Sequence, residues 1–252
     1  MVNDYSLFYD YGDSFHFYIF EFANFSFIAF CILLAYKLKL ISPLSMWAWM
    51  LLAIIPLLLN YFLISPYLFG DQWVYFHEIT SLKSTGESVE YIKLTQENSG
   101  NVISEVTIAS MIMGLAPIPN YMTVTSAAYA NKFFSFVLFI WLLRYFEEKK
   151  LLVFFLIPSF IIYSSLGLRD LLVIAVSILS LFYLARGKYF FGILFLIPLF
   201  SLKLQMFGFL SIYLIGRVIF RAHKSFKGMS LMLVSGVIAA FMLQEFILLW
   251  LN

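Results

Sequence analysis

The sequence predicts an all-α, polytopic membrane protein with about seven or eight helices that cross the bilayer wholly or in part. Three observations predict it. Hydrophobic residues make up 63% of the 252 positions while charged residues make up 12%, where a soluble domain carries about a quarter charged. The apolar residues fall in continuous runs of helical length, without the strict alternation of an outer-membrane barrel. Clusters of Lys and Arg punctuate those runs at every other turn, as the positive-inside rule requires. The same figures exclude a disordered chain, a disulfide scaffold (Cys31 is the single cysteine) and, at a formal net charge of +2, a nucleic-acid binder.

The elements follow in order. The first sixteen residues hold Asp4, Asp10 and Asp13 and no Lys or Arg, the opposite of a signal peptide's basic start. A first run, about Phe17 to Tyr36, ends at Lys37 and Lys39, which puts those lysines in the cytoplasm and the N-terminus outside. A second run, about Leu44 to Leu68, returns outward and leads into the one long polar stretch, residues 70–105, predicted to be an external loop with short interfacial helices. Val106 to Ile118 is apolar but interrupted by Pro117 and Pro119 and too short to cross. The run Thr123 to Leu143 ends at the charged cluster Arg144, Glu147, Glu148, Lys149 and Lys150. Arg186 with Lys188, and Arg217, Arg221, Lys224 and Lys227, mark the next cytoplasmic turns, and Ser230 to Leu251 finishes outside. Eleven of the sixteen Lys and Arg residues then lie on the cytoplasmic side of a single membrane domain.

Two stretches are too short for two full crossings. Leu151 to Ala185 must go out and back around Gly167-Leu168-Arg169-Asp170, leaving each arm roughly 25 Å long. Tyr189 to Gly216 leaves each arm roughly 21 Å, which predicts a re-entrant pair over residues 189–216 with Lys203 at its tip. The heptapeptides FFLIPSF (Phe154 to Phe160) and LFLIPLF (Leu194 to Phe200) echo each other, and Pro158 and Pro198 are placed to kink both arms.

The cations outside the cytoplasmic clusters carry the chemistry. Lys132 precedes Arg144 by twelve residues, or roughly 18 Å of helix, in the outer half of the membrane. Arg169 and Lys203 sit at the outward tips. An isolated charge at membrane depth costs at least about 2.5–3.5 kcal/mol and needs a partner or an aqueous cavity. Pairing with Glu21, Asp170 and Glu245 is one reading; a shared anionic guest is the other. A guanidinium and two ammonium groups suit phosphate, and at the outer leaflet that means a lipid-linked phosphate or diphosphate. Asp170 and Gln205, beside Arg169 and Lys203, complete the candidate substrate-binding set.

A second constellation is FGDQWVYFHEI, Phe69 to Ile79. Asp71, or His77 near neutral pH, is placed to act as general base towards a sugar hydroxyl. The same residues also read as an amphipathic interfacial helix with solvated charges and an aromatic belt of Trp73, Tyr75 and Phe76. No HExxH, Walker, GxGxxG, GxSxG or zinc pattern occurs, so neither a metal nor a cofactor is expected.

The run IIYSSLGLRDLLVIAVSILSLFYLARGKYFFGILFLIPLF, Ile161 to Phe200, resembles the core of bacterial Wzy-type and EpsG-like polysaccharide polymerases. GDQWVY resembles the Asp-bearing first external loop of membrane-embedded, lipid-dependent glycosyltransferases of the GT-C kind. The resemblance covers about a third of the chain. It implies an inner-membrane enzyme that transfers or polymerises undecaprenyl-diphosphate-linked sugar on the outer face for surface polysaccharide or O-antigen, with Arg169 on the donor diphosphate and Asp71 as base. Asp170 departs from the family's usual Gln, and Lys203 stands roughly where a His is common. The alternative is a non-catalytic flippase or assembly subunit that holds a lipid phosphate with the same cations. The partners expected are the lipid-linked glycan, membrane lipids and other membrane proteins, and no nucleic acid.

Overall fold

The computed structural model describes residues 15–59, 72, 75–76, 78–80, 105–121 and 123–222, and every long element among them is an α-helix. The helices are α1 (Phe15–Lys37), α2 (Pro43–Leu58), α3 (Glu105–Gly114), α4 (Val124–Leu142), α5 (Glu148–Phe155), α6 (Pro158–Ser165), α7 (Asp170–Ala185), α8 (Tyr189–Leu202) and α9 (Leu204–Ala222). Among the described residues the fold is all-α.

Within α1, Ile19–Lys37 is 19 residues long and apolar enough to cross a membrane, the one single helix among the described residues that is. At 1.5 Å per residue it reaches roughly 28 Å, close to the hydrocarbon thickness. The pair α6 and α7 together is long and apolar enough for a second span, but the chain bends by 118° at the break between them. α4, at 19 residues, matches the Ile19–Lys37 stretch in length but carries Asn131 and Lys132 in its middle. α2, α8 and the Leu204–Arg217 stretch of α9 are shorter apolar helices.

Two compact units divide the chain, Met1–Ala175 and Val176–Asn252. In the first, α4 is the central element: α1, α2, α3, α5 and α6 all pack on it. Its buried Ala127, Ala128 and Ala130 let neighbouring backbones come close. Towards its C-terminal end the core turns aromatic. Trp49 of α2 is 1% exposed and meets Phe136, Phe139 and Phe155 at ring-centroid distances of 5.1, 5.3 and 5.5 Å. Phe155 and Phe160 meet at 4.7 Å across the break between α5 and α6. Ile157, held extended before Pro158, ends α5, and the proline's missing N–H falls at the start of α6, where no intrahelical partner exists. Pro198, in the echoing heptapeptide, lies inside α8, which runs through it. The first proline therefore breaks its arm, while the second leaves one helix.

The second unit is built around α8 and α9, which pack on each other. The Arg217 guanidinium donates to the Ala185 carbonyl and, at 3.1 Å, to the Tyr213 hydroxyl. Fourteen residues of α8 leave the level of Ala185, and fourteen of α9 return to it, so the two form a hairpin. Lys203 is the single residue at the junction: its N–H bonds Leu199 O at 2.9 Å, and its carbonyl accepts from Met206 and Phe207. On the facing side, Gly192 lies against Leu184, and Ser180 Oγ donates to the Gly192 carbonyl at 2.9 Å.

Two helix ends are closed in the same way. Leu40 N–H bonds Ala35 O and Lys39 N–H bonds Tyr36 O, with Lys39 at φ 57°. Lys188 N–H bonds Tyr183 O and Gly187 N–H bonds Leu184 O, with Gly187 at φ 74°. Both are Schellman motifs, whose left-handed position favours glycine. At the polar end of the first unit, Ser42 caps α2, and its N–H donates to Glu148 Oε1 at 2.7 Å.

Candidate functional site

A lone cation in an apolar helix has to be answered by its neighbours, and the neighbours of Lys132 are hydroxyls. Lys132 is 0% exposed, and its Nζ donates to Ser164 Oγ at 2.9 Å and to Ser165 Oγ at 2.8 Å, at the C-terminal end of α6. Among the described residues no carboxylate lies within ion-pair distance of it. Glu21, the carboxylate expected as a partner, instead accepts from the Thr125 hydroxyl, two turns earlier on α4. One of the three ammonium hydrogens is left for another acceptor. A helix C-terminus offers Lys132 some stabilisation, since its last carbonyls carry partial negative charge, but it provides no countercharge.

The turn that follows α6 is held from both sides. Gly167 N–H donates to Gln72 Oε1 at 2.9 Å, while Asn131 Nδ2 donates to Leu166 O at 2.7 Å and Leu168 O at 2.8 Å. Gly167 is required here by close approach: a Cβ on it would lie 2.8 Å from the Ala127 Cβ. Arg169 comes next, half-buried, with its carbonyl accepting from Val173 N–H in the first turn of α7. Asp170 opens α7 and is half-buried too. The turn thus joins the end of one short helix to the start of another, with its backbone fixed by two amide side chains and a buried lysine beneath.

A wider polar layer adjoins it between α1 and the start of α4. Asn24 Nδ2 donates to Asn120 O at 3.2 Å and to Ser126 Oγ at 3.3 Å, and Asn120 N–H returns a bond to Asn24 Oδ1 at 3.2 Å. Thr123 and Ser126 share a hydroxyl contact of 2.8 Å at the head of α4. Tyr129 is 0% exposed, one turn from Thr125 and one from Lys132. Below Lys132, Phe136 begins the aromatic cluster around Trp49. Polar groups and rings thus occupy opposite ends of α4, with Lys132 and Ser135 at the border.

Of the residues singled out from the sequence, Lys132, Arg169 and Asp170 fall together on α4 and the α6–α7 turn of the first unit. Lys203 is half-buried at the α8–α9 junction, and Gln205 is exposed in the first turn of α9, both in the second unit. Asp71 and His77, the two candidate bases, lie outside the described residues; their neighbours 72, 75–76 and 78–80 are helical. The sequence reading missed Gln72, Asn131 and the serine pair as functional groups. For Asn131 and Ser164-Ser165 a signal existed: polar residues inside apolar runs, as conspicuous as Lys132 itself.

The described groups can donate hydrogen bonds and hold an anion; no cluster of three or more His, Cys, Asp or Glu able to take a metal occurs among the described residues. Comparison of the chain with protein-family models, with curated proteins and with solved structures gives no match in any of the three.

Proposed function

We propose that this chain is a multi-pass protein of the bacterial inner membrane, with seven or eight spanning or partly spanning helices, that transfers or polymerises undecaprenyl-diphosphate-linked sugar on the outer face. One observation carries the reading: a fully buried ammonium held by two serine hydroxyls, with no carboxylate at ion-pair distance among the described residues, under a helix break that bears Arg169. An uncompensated cation in that setting is costly unless a ligand supplies the charge. Broken helices whose ends face a buried site are a recurring way to hold ions and charged headgroups inside a membrane.

In this reading Lys132 and Arg169, both in the first unit, hold the diphosphate of the donor. The acceptor hydroxyl attacks the anomeric carbon, the bond from that carbon to the diphosphate oxygen breaks, and the diphosphate leaves with the electron pair. Asp71, or His77, takes the hydroxyl proton. Cations already fixed where negative charge develops lower the barrier without reorganising.

The test is native mass spectrometry of the protein in mild detergent, beside a Lys132→Met, Arg169→Ala double variant. A retained polyprenyl phosphate or diphosphate that disappears in the variant supports the site. Ordinary phospholipid alone, equal in both proteins, overturns it. A second reading, a non-catalytic flippase or assembly subunit, is favoured by the ammonium, two hydroxyls and two amides packed against the turn, which bind without taking a proton. An Asp71→Asn, His77→Gln double variant separates the two, because transfer requires one of these bases and binding requires neither.

A further inference from the structure

Gln72 and Asn131 each use one end of the amide to hold the turn and leave the other end buried without a partner. Both side chains are 0% exposed. Gln72 Nε2 and Asn131 Oδ1 have no hydrogen-bond partner. The orientation of each amide is fixed by what it touches. Gly167 N–H needs an acceptor, so Gln72 must present its oxygen; Leu166 O and Leu168 O need donors, so Asn131 must present its NH2. The orphaned atoms are therefore a donor on Gln72 and an acceptor on Asn131. Each such group is costly when buried, and native structures keep few of them. The clamp uses only the oxygen of Gln72 and the NH2 of Asn131, so it accounts for the bonded end of each amide and leaves the orphaned end unexplained.

The two grip one peptide from opposite edges, Gln72 at the Gly167 N–H and Asn131 at the Leu166 carbonyl, so the orphans lie apart on either side of it. A phosphate offers acceptors only, which suits Gln72 and the spare Lys132 hydrogen but not Asn131 Oδ1. A hydroxyl both donates and accepts. We propose that Gln72 and Asn131 form a sugar subsite beside Lys132, one taking a hydroxyl through Nε2 and the other through Oδ1, so that the protein selects a glycosylated polyprenyl diphosphate over the bare lipid. The inference rests on the lipid-linked sugar reading and names the feature of the substrate that the site reads. Because both amides are closed off in this structure, the headgroup enters by opening the packing around the turn, and association is slow for that reason.

The experiment measures the affinity of the full chain in mild detergent for two probes, undecaprenyl diphosphate and the same lipid carrying one glucose. The glycosylated lipid bears less negative charge, so electrostatics alone would favour the bare one. The expected result is at least tenfold tighter binding of the glycosylated lipid, which corresponds to about 1.4 kcal/mol. Gln72→Glu keeps the oxygen that holds Gly167 and replaces the orphaned donor with a second oxygen. It is expected to bring the ratio of the two affinities to within threefold. Equal binding of both probes by the wild type removes the sugar subsite and leaves the phosphate site standing. Binding of neither probe overturns the lipid-linked sugar reading itself. A tenfold preference that survives Gln72→Glu overturns the part given to Gln72, and the wild-type ratio decides the subsite even where the variant does not fold.

Discussion

Gln72 and Asn131 hold opposite ends of the same peptide group: Gln72 Oε1 accepts the Gly167 N–H at 2.9 Å, and Asn131 Nδ2 donates to the Leu166 carbonyl at 2.7 Å. A turn fixed this way presents Arg169, two residues further on, from a rigid base. It also explains why residue 167 is glycine, since the peptide can be reached from both sides only if its Cα lies flat on α4.

Gly167→Ala tests that geometry. The new Cβ would stand 2.8 Å from Ala127 Cβ, closer than carbon atoms tolerate, and both atoms are held by backbone. Overpacking of this kind costs roughly 1–3 kcal/mol. The melting temperature in detergent is expected to fall by several degrees. Ala127→Gly in the same chain removes the opposing atom and is expected to recover part of the loss, although glycine in a helix costs about 1 kcal/mol by itself. Simple additivity of the two losses would mean that the clash is relieved elsewhere.

Lys132→Met separates holding a ligand from holding the fold. Met is close to lysine in length, apolar and flexible, and replacement of a buried charge by a well-packed apolar residue is often neutral or stabilising. Ser164 Oγ already donates to Ile161 O at 3.1 Å, so it keeps a partner when the ammonium is gone. The expected outcome is an unchanged or higher melting temperature together with loss of retained polyprenyl lipid. A drop of more than about 5 °C would make Lys132 a structural cap of α6 rather than a ligand group.

The sequence made parts of this site readable for physical reasons. A lone lysine in an apolar run is expensive, so Lys132 stands out from the pattern alone. The same holds for the turn at Gly167 to Asp170, because the arms around it are too short to be anything else. Gln72 does not stand out: it is uncharged, it sits between Asp71 and Trp73, and its role depends on a backbone N–H 95 positions away. The partner of Glu21 was equally hidden, since Thr125 is one of several hydroxyls at the head of α4 and only packing chooses among them. The two Leu-Ile-Pro segments look alike in sequence yet differ in outcome. Phe155 is anchored among Trp49, Phe139 and Phe160, which fixes the chain on both sides of the break before Pro158, a tertiary fact that no local pattern carries.

Lys39→Gly is expected to stabilise the protein. Lys39 occupies the left-handed position of a Schellman motif at φ 57°, where Gly187 stands in the equivalent motif at φ 74°. A residue with a Cβ pays roughly 1–2 kcal/mol for that conformation, partly offset by the greater entropy glycine loses on folding. A net gain of about 1 kcal/mol corresponds to a rise of roughly 2–4 °C for a chain of this size. Gly187→Lys should show the reverse, a fall of similar size. Equal melting temperatures for all three proteins would show that both helix ends open before the transition being measured. Lys39 also belongs to the basic cluster from which a cytoplasmic turn is expected, so the variant is best compared as purified protein.

Glu148 gives the chain a pH dependence whose sign follows from its contacts. Partial burial raises its pKa, but hydrogen bonds from the Ser45 side chain and from the Ser42 N–H and hydroxyl outweigh this and hold the carboxyl below its ordinary range. The folded pKa lies below the unfolded value of about 4.3. The stabilisation is therefore fully present above that value and is lost as pH falls through the folded pKa. Neighbouring Glu147 and Lys150 form an exposed ion pair at 3.0 Å, which contributes little at any pH. Melting curves between about pH 6 and pH 3 are expected to show the wild type losing its advantage over Glu148→Gln as the medium becomes acidic. The glutamine keeps an oxygen for the Ser42 N–H but no charge, so the difference isolates the carboxylate at the head of α2, where the helix dipole also favours negative charge. A constant gap between the two proteins across that range would mean that the carboxyl stays ionised throughout, or that its bond to Ser42 opens before the protein melts, and either result removes Glu148 as the acid-sensitive tie between α2 and α5.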